Sequence, residues 1–260
     1  MLDKNIQERV EREKDQHDDD AILERAIELK STFDHVLNSP TMQRADKEES
    51  QIYKNVKDKI VLDVGCGFGE KSITIAQNGG VVTGIDISEN YIRSSRQSAQ
   101  EKNLNHLCSF EEMDVHNMSY KDNTFDLVIG RGIIHHLDLQ VSLTEIKRVL
   151  KPGGTAIFLE PLSANPLLKI FRVLTPSART VDEKPLTIRD LKWINSNFDV
   201  YSSYYGLITA PVAMLTSILL RPWPNNYILI IFDYLENFLN KLNFIKPFNQ
   251  YVLLNIKKPS

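Results

Sequence analysis

The stretch VLDVGCGFGEKS, residues 61–72, decides which fold this chain adopts. Its first four residues are typical of a buried strand, and the overlapping EKSITIAQ, residues 70–77, is typical of a helix. Between them, Gly65, Gly67 and Gly69 alternate with other residues. Glycine loses more conformational freedom on folding than any other residue, so three in five positions indicate a loop whose bare backbone lies against a ligand.

The alternation of strand and helix continues to about residue 161 and predicts the fold class. Strands that alternate with helices form parallel sheets with right-handed crossovers. We predict an α/β, Rossmann-like fold: a seven-stranded, mostly parallel sheet with helices on both faces, N-terminal helices, and a helical insertion before the last strand. KPGG, residues 151–154, is predicted to be a turn between a helix and the fifth strand. The predicted strands are 59–65, 81–87, 107–115, 125–130, 155–160, 198–207 and 250–258.

Shifts in composition predict three regions. Residues 1–55 form a polar N-terminal helical cap, residues 56–161 form the ligand-binding core, and residues 162–260 complete the sheet. Residues 207–248 are predicted to be helical, with few charges. This insertion is interpreted as a lid over an apolar substrate, as a peripheral membrane contact, or as a plain cover on the core. The side chains expected at a membrane contact are Trp223, Phe232 and Phe238.

Charge and cysteine content limit the function classes. The formal net charge is -3 and the pI is about 6.1, so no basic field exists that would hold nucleic acid. Two cysteines are too few for a disulfide framework and predict a reducing, cytoplasmic setting. None of the six histidines forms an i, i+4 pair with another histidine or a cysteine, so no metal site is predicted. No transmembrane span is predicted, because such a span needs roughly 20 apolar residues in a row.

Two cofactor classes compete for the glycine loop. Dinucleotide-binding enzymes use the spacing G-x-G-x-x-G to reach a pyrophosphate. Here the spacing between the glycines is one residue tighter, and Asp63 stands two residues before the first of them. A carboxylate at that place opposes a pyrophosphate but suits a cationic ligand, and S-adenosylmethionine carries both an ammonium and a sulfonium. A nicotinamide-dependent oxidoreductase stays the other interpretation.

Five motifs between residues 59 and 161 extend this argument to a family. They are VLDVGCGFGEKS (61–72), GIDIS (84–88), MDVHNMSY (113–120), FDLVIGRGIIHHLDL (125–139) and LKPGGTAIFLEPL (150–162). In this order they resemble the motifs of class I S-adenosylmethionine-dependent methyltransferases, in the branch that acts on small molecules such as ubiquinone precursors. The resemblance implies S-adenosylmethionine as the cofactor and S-adenosylhomocysteine as its product.

The resemblance also implies roles for particular residues. Asp63 would help to hold the methionine ammonium, Asp86 would accept hydrogen bonds from the ribose hydroxyls, and Asp114 would receive the adenine amino group. Arg131 follows the fourth strand, where the family often has a small residue, so contact with an acidic group of the acceptor is its other interpretation. Cys66 is also interpreted as a packing residue. The full set predicted at the cofactor is Asp63, Gly65, Cys66, Gly67, Gly69, Asp86, Ile87, Asp114, Val115 and Arg131.

Four residues are candidates for catalysis. His135 and His136 follow the fourth strand, and the usual pKa of histidine, near ~6.5, suits a base at neutral pH. Adjacent residues on a helix diverge by about 100°, so at most one of the pair reaches the acceptor, and His135 is preferred. Glu160 at the end of the fifth strand is another candidate, or else it makes a structural hydrogen bond. His17 is the fourth, because in similar proteins the N-terminal segment folds over the cofactor.

The predicted function is transfer of a methyl group to a small, partly apolar metabolite, at oxygen, by in-line displacement. A lipid or quinone-like C-methyltransferase uses the same features, so it stays an alternative. A non-catalytic module that binds the cofactor and assists a partner is the third interpretation.

Overall fold

The computed structural model describes residues 3–18, 34–174, 183–220 and 223–260. Part of the predicted N-terminal cap, residues 19–33, therefore lies outside the described residues. The strands are β1 (Ile60–Val64), β2 (Val81–Asp86), β3 (Cys108–Glu112), β4 (Phe125–Arg131), β5 (Leu150–Pro161), β6 (Asp199–Tyr205) and β7 (Tyr251–Lys257). The helices are α1 (Lys4–His17), α2 (Asp34–Leu37), α3 (Pro40–Tyr53), α4 (Glu70–Gln77), α5 (Glu89–Glu101), α6 (Leu139–Val149), α7 (Pro166–Leu174), α8 (Ile188–Asn197), α9 (Thr209–Leu220) and α10 (Tyr227–Leu239).

One sheet joins all seven strands in the order β3-β2-β1-β4-β5-β7-β6. Strand β7 runs antiparallel to both of its neighbours, and the other strands are parallel to one another. The chain moves outward from β1 to β3 and then crosses to β4, so the strand order reverses between β1 and β4. The predicted α/β, Rossmann-like fold class is confirmed.

Apolar side chains pack on both faces of this sheet. Alternate residues of a strand point to opposite faces, and in β1 the neighbours Val61 and Leu62 are both fully buried, in different core clusters. Helices α3, α4 and α5 supply the cluster around Val61, whereas α6 and α8 supply the cluster around Leu62. Burial of each such side chain contributes roughly 1.5–3 kcal/mol, so the doubly covered centre of the sheet dominates stability.

The prediction of a free turn at KPGG is wrong. Residues 151–154 belong to β5, where they form a bulge of four residues opposite a single residue of β4. Gly153 has a positive φ of 76°, and its N–H donates to the carbonyl of Lys258 at 3.0 Å. The bulge is therefore held as part of the sheet, because the chain beyond β7 hydrogen-bonds to it.

A buried carboxylate anchors the predicted insertion to the rest of the protein. Glu236 of α10 is fully buried, and its Oε1 accepts hydrogen bonds from the Thr41 hydroxyl at 2.7 Å and from the Gly206 N–H at 2.8 Å. Its Oε2 accepts from the N–H groups of Ile208 and Thr209, at 3.1 and 3.0 Å. Glu236 thus supplies from α10 the anion that the free N–H groups at the start of α9 require.

An arginine on α3 adds a second clamp beside Glu236. The Arg44 guanidinium donates to both carboxylate oxygens of Asp233, at 2.9–3.1 Å, and to the side-chain oxygen of Asn237 at 2.9 Å. Bidentate arginine–carboxylate pairs fix geometry as well as adding energy. Helices α9 and α10 are consequently held against α2 and α3 in one helical layer.

We expect Glu236→Ala to lower the free energy of unfolding by about 3 kcal/mol, because four buried donors lose their acceptor. Urea unfolding followed by circular dichroism measures this value. Ile231→Ser, on the exposed side of the same helix, is the matched control and should change stability by no more than about 0.5 kcal/mol. Equal stability of the two variants would show that the carboxylate does not anchor the insertion.

Candidate active site

A cavity of about 220 Å³ lies at the carboxyl ends of β1, β2 and β4, beside the point where the strand order reverses. Helix α1 forms one wall of the cavity. The rest of the wall is formed by residues within the segments 65–68, 86–91, 113–116 and 132–137. Open parallel sheets bind ligands at this edge and at this point of their topology, so the cavity is the candidate active site.

Helix α1, rather than the predicted insertion, covers the cavity. Arg9, Val10, Glu13 and His17 lie on its wall, whereas none of the described residues of 207–248 does. The clamps on α10 hold the insertion against α3 and against the turn between β6 and α9. The structure therefore does not bring the predicted lid to the cavity.

Hydrogen bonds and an ion pair fasten α1 over the ends of β2 and β3. The Ser88 hydroxyl donates to Asp18 Oδ1 at 2.6 Å, and the Asn90 amide donates to the Asp18 carbonyl at 2.9 Å. Lys14 pairs with Glu112 at the end of β3. The end of α1 is thus fixed where β2 passes into α5, and this brings His17 to the cavity.

The glycine loop lies on the cavity wall with a left-handed backbone. Gly65 has φ 65°, and a Cβ at this position would lie 2.6 Å from the Cδ1 of Ile133, so any side chain would clash with Ile133. Gly67 has φ 50°, and a Cβ there would meet nothing within 4 Å. At Gly67 the backbone is thus open on the side that a Cβ would occupy.

Asp86 ends β2 and joins the glycine loop to the next helix. Its Oδ2 accepts from the Gly67 N–H at 3.0 Å, and its Oδ1 accepts from the Ser88 N–H at 3.0 Å. Burial raises the pKa of this carboxyl, although the two N–H groups favour its charge. Each carboxylate oxygen has two lone pairs, so Asp86 can accept two further hydrogen bonds on the cavity wall, where Ile87 stands beside it.

Asp114 lies on the wall with one oxygen already fixed. Its Oδ1 accepts from the His116 N–H at 2.9 Å and lies 2.6 Å from the Nδ1 of the same residue. His116 Nε2 accepts from the Asp138 N–H at 2.9 Å, so the imidazole carries its proton on Nδ1 and donates it to Asp114. This chain ties the loop after β3 to the start of α6 and places Val115 on the wall.

Three predicted cofactor residues lie behind the loop and do not line the cavity. Asp63 is buried in β1, where its Oδ2 accepts from the Ser72 hydroxyl at 2.7 Å, and burial raises its pKa to about 7. Cys66 packs against the core that contains α4 and α5, and burial raises the pKa of its thiol. Gly69 faces the ring of Phe110, so the absence of a side chain there allows the start of α4 to lie close to β3.

Arg131 turns away from the cavity and binds helix α3. Its guanidinium lies 2.7 Å from a carboxylate oxygen of Asp46 and 3.1 Å from one of Glu49. The structure therefore places Arg131 as a link between the end of β4 and the N-terminal helices.

The two adjacent histidines face different partners. His135 is buried, its Nδ1 lies 2.8 Å from the Oε2 of Glu160, and it does not line the cavity. The other oxygen of Glu160 accepts from the N–H groups of Ile133 and Ile134, each at 3.0 Å. Glu160 and His135 thus hold the loop after β4 from its buried side. Of the two adjacent histidines, only His136 lines the cavity.

His136 lines the cavity in a cluster with two residues of α1. Its Nδ1 lies 3.2 Å from Glu13 Oε2, and the same oxygen lies 3.5 Å from the Nε2 of His17. Burial opposes the charge of Glu13, but hydrogen bonds with His136 and His17 lower its pKa below the usual range. The contact with Glu13 raises the pKa of His17.

The residues predicted from the sequence did not include Glu13, Arg9 or His116. A signal for Glu13 is present, because Arg9, Glu13 and His17 recur every four residues and share one helix face. Their meaning depends on where α1 packs, and the local sequence does not determine that. No comparable signal marks His116, whose role follows from the loop that it meets.

Residues 62–158 match the model of a family described as "Methyltransferase domain". This part of the chain is a methyltransferase domain. The prediction of a class I S-adenosylmethionine-dependent methyltransferase is confirmed for it. The five motifs that carried the prediction span β1 to β5, so the methyltransferase domain holds most of the cavity wall.

Curated relatives match the same part of the chain. The demethylmenaquinone methyltransferase of Staphylococcus haemolyticus (strain JCSC1435) is 31% identical over 151 residues, which are 55% of this chain and 61% of that protein. The ubiquinone biosynthesis O-methyltransferase of Coxiella burnetii (strain RSA 493) is 33% identical over 111 residues, which are 42% and 46% of the two chains. The chain thus spans about three-fifths or less of the length of these relatives.

Solved structures share the fold at low sequence identity. The geranyl diphosphate C-methyltransferase of Streptomyces coelicolor A3(2) has a TM-score of 0.60 and 14% identity, over 84% of this chain and 81% of that one. The [4+2]-cyclase SpnF has a TM-score of 0.55 and 17% identity, over 89% and 94%. One of the two is named a methyltransferase and the other a cyclase, so the likeness supports the fold, and the reaction has to be argued from the site.

The buried Asp63 generates a prediction about stability and pH. Its pKa is higher in the folded chain than the ordinary 3.8, so between about pH 4 and 7 the unfolded chain releases this proton while the folded chain keeps it. Its contribution to stability therefore falls as the pH rises through this window, by up to about 1.4 kcal/mol per pH unit. Asp63→Asn removes this contribution.

Unfolding free energies of the parent and of Asp63→Asn, measured in urea from pH 4 to 7, should therefore diverge in favour of the variant. Asp122→Asn, at an exposed acid, is the matched control and should follow the parent. Parallel curves for the parent and Asp63→Asn would contradict the buried, proton-retaining state of Asp63.

Proposed function

We propose that this chain is an S-adenosylmethionine-dependent methyltransferase that methylates a small, partly apolar molecule at oxygen. The observation that carries the proposal is the pairing, in one cavity, of an adenosine-compatible wall with an acid–histidine cluster that can accept a proton. The wall is formed by Asp86, Ile87, Asp114 and Val115, and the cluster by Glu13, His17 and His136.

The wall residues fit the nucleoside half of the cofactor. Asp86 has acceptor capacity left for two ribose hydroxyls, and the second oxygen of Asp114 can receive the adenine amino group. Ile87 and Val115 offer apolar surface to the purine. The bare backbone at Gly67 admits the cofactor's amino-acid half. Asp63 does not line the cavity, so its proposed effect on the ammonium is indirect: it would act by supporting the glycine loop on the loop's buried side.

The bound cofactor supplies an electrophilic methyl group on a sulfonium. The chain itself has to align the acceptor and remove its proton. His136 suits the second task, because its Nδ1 faces Glu13 and its lone pair therefore lies on Nε2. Glu13 both orients the ring and stabilises the imidazolium that forms. This assignment replaces the preference for His135, whose Nδ1 faces Glu160 outside the cavity.

Two observations favour a partly apolar acceptor with an acidic hydroxyl. Apolar side chains from every wall segment, such as Val10, Phe68, Met113 and Leu137, enclose the cavity. The relatives named for demethylmenaquinone and ubiquinone biosynthesis suggest a quinol-like ring. Oxygen is proposed as the methylated atom because a phenolic hydroxyl loses its proton in the reaction, and the cluster provides its acceptor. A peripheral membrane contact by residues 207–248 would suit an acceptor of this kind.

Methylation of a ring carbon is the second candidate, since the same base would take the proton from carbon. The purified chain is incubated with methyl-labelled S-adenosylmethionine and a cell extract, and label is counted in organic and aqueous phases. Labelled product in the organic phase supports the proposal, and the position of the label in that product decides between oxygen and carbon. Binding of S-adenosylhomocysteine without any labelled product would favour the non-catalytic module.

We expect Asp86→Ala to weaken S-adenosylhomocysteine binding by roughly 1–3 kcal/mol, because charge-assisted hydrogen bonds to the ribose are lost. Isothermal titration calorimetry measures this affinity. Asp122→Asn is the matched control at an exposed acid. An unchanged affinity of Asp86→Ala would remove this residue from the cofactor site.

We expect His136→Ala to lower turnover by about 10²-fold or more with unchanged cofactor affinity, because the acceptor loses its base. Glu13→Gln should lower turnover less and shift its pH profile, since the ring remains and only its charged partner is lost. His106→Ala, at an exposed histidine, is the matched control. Turnover of His136→Ala equal to that of the control would return the catalytic assignment to His135 or His17.

A further inference from the structure

Helix α10 presents its apolar side to the surface and its acids to the protein. A surface helix normally has the opposite arrangement, with polar residues outward. Asp233 and Glu236 are held inward by Arg44 and by the turn before α9. The outer face of α10 consists of the exposed residues Tyr227, Ile228, Ile231, Tyr234, Leu235 and Phe238.

The spacing shows that this outer face is one continuous stripe. Its members recur at intervals of three and four residues, which places them on one side of the helix over three turns. Tyr227 is 86% exposed, Tyr234 75% and Phe238 64%, so these rings have little cover from the protein. Contiguous apolar surface of this kind marks a place where another apolar phase or partner docks.

The flanking segments continue the stripe and add positive charge. Trp223 before the helix and Phe244 after it are also mostly exposed. Lys241 is exposed and its Nζ lies 5.6 Å from the centre of the Phe238 ring. From residue 223 to 248 the charged residues are Asp233, Glu236, Lys241 and Lys246, and both acids face inward. The surface therefore combines aromatic rings, aliphatic side chains and lysine, without an outward acid.

We propose that the outer face of α10, with Trp223, Lys241 and Phe244, docks on a lipid bilayer that contains anionic lipids. Tyrosine and tryptophan favour the interface between hydrocarbon and water, and lysine attracts anionic headgroups. The helix lies along the bilayer surface with its apolar side in the headgroup region. Among the residues that the structure describes, no helix has the length and apolar character needed to cross a membrane.

Charge favours the bilayer over a second copy of the chain. In a symmetric dimer the same patch meets itself, so Lys241 of each copy would find no acid on the facing patch. An anionic bilayer supplies the missing negative charge.

The position of the outer face relates it to the cavity. Glu236 fastens α10 to the backbone just after β6, at the carboxyl end of that strand. The cavity lies at the carboxyl ends of β1, β2 and β4, and parallel strands bring these ends to one edge of the sheet. Helix α10 is thus fastened at the same edge of the sheet that carries the cavity. The inference does not depend on which reaction the cavity performs.

Sedimentation with vesicles tests the docking without cofactor or acceptor. The full chain is mixed with vesicles of phosphatidylcholine alone or of phosphatidylcholine with phosphatidylserine. We expect tighter binding to the anionic vesicles, weakened by salt. The double variant Ile231→Ser, Phe238→Ser should bind at least about tenfold more weakly, since about 25 cal/mol is lost for each Å² of apolar surface no longer buried. Lys241→Glu should bind the anionic vesicles about fivefold or more weakly, and it should bind the phosphatidylcholine vesicles like the parent.

Tyr201→Ser is the matched control, because Tyr201 is an exposed ring at the amino end of β6, outside the outer face. It and Asp86→Ala should bind vesicles like the parent, which separates docking from the proposed cofactor site. Equal binding of the parent to both vesicle types would overturn the inference, as would unchanged binding of the double variant. A dimer in solution that the double variant dissociates would overturn it in favour of a second copy.

Discussion

The hydrogen bond from the Gly67 N–H to the Asp86 carboxylate is the contact on which the rest of the site depends. It joins the loop after β1 to the end of β2, so the two neighbouring strands present one continuous wall. The left-handed glycines allow these loops to approach each other closely, and the hydrogen bond to the buried carboxylate fixes the distance between them. The same carboxylate binds the start of α5 through Ser88, so a helix, two strands and the cavity wall share one acid.

A second buried acid performs the corresponding task on the other half of the cavity. Glu160 accepts hydrogen bonds from the backbone N–H groups of the loop after β4, and its other oxygen contacts the ring of His135. Of two adjacent histidines, one is therefore used to build the loop and the other to face the cavity. The N-terminal helix completes the arrangement by bringing Glu13 to His136. The proposed cofactor wall and the proposed base thus depend on different loops at one edge of the sheet, and each loop is held by its own buried carboxylate.

Features that depend on neighbouring residues were predictable from the sequence, whereas those that depend on distant packing were not. The strand, glycine loop and helix at 61–77 are encoded locally, and Asp86 follows from its place at the end of a strand. The bulge at 151–154 depends on Lys258, about a hundred residues away, so the local Pro-Gly-Gly pattern predicted a turn instead. Arg131 was predicted at the cofactor, but it pairs with Asp46 and Glu49, which are also distant from it in the sequence. The charges of 207–248 were visible in the sequence, but their inward direction follows only from Arg44 and the turn before α9.

The place of β7 in the sheet has a consequence for how the chain acquires its structure. Strand β6 hydrogen-bonds to the sheet through β7, and β7 reaches β5 across about a hundred residues of chain. During synthesis β6 therefore has no partner in the sheet until β7 has left the ribosome. Loops of this length slow the pairing step because their closure costs entropy before any contact forms. Helices α9 and α10, which Glu236 fastens to the backbone just after β6, are synthesised in this interval, before β6 has its partner in the sheet.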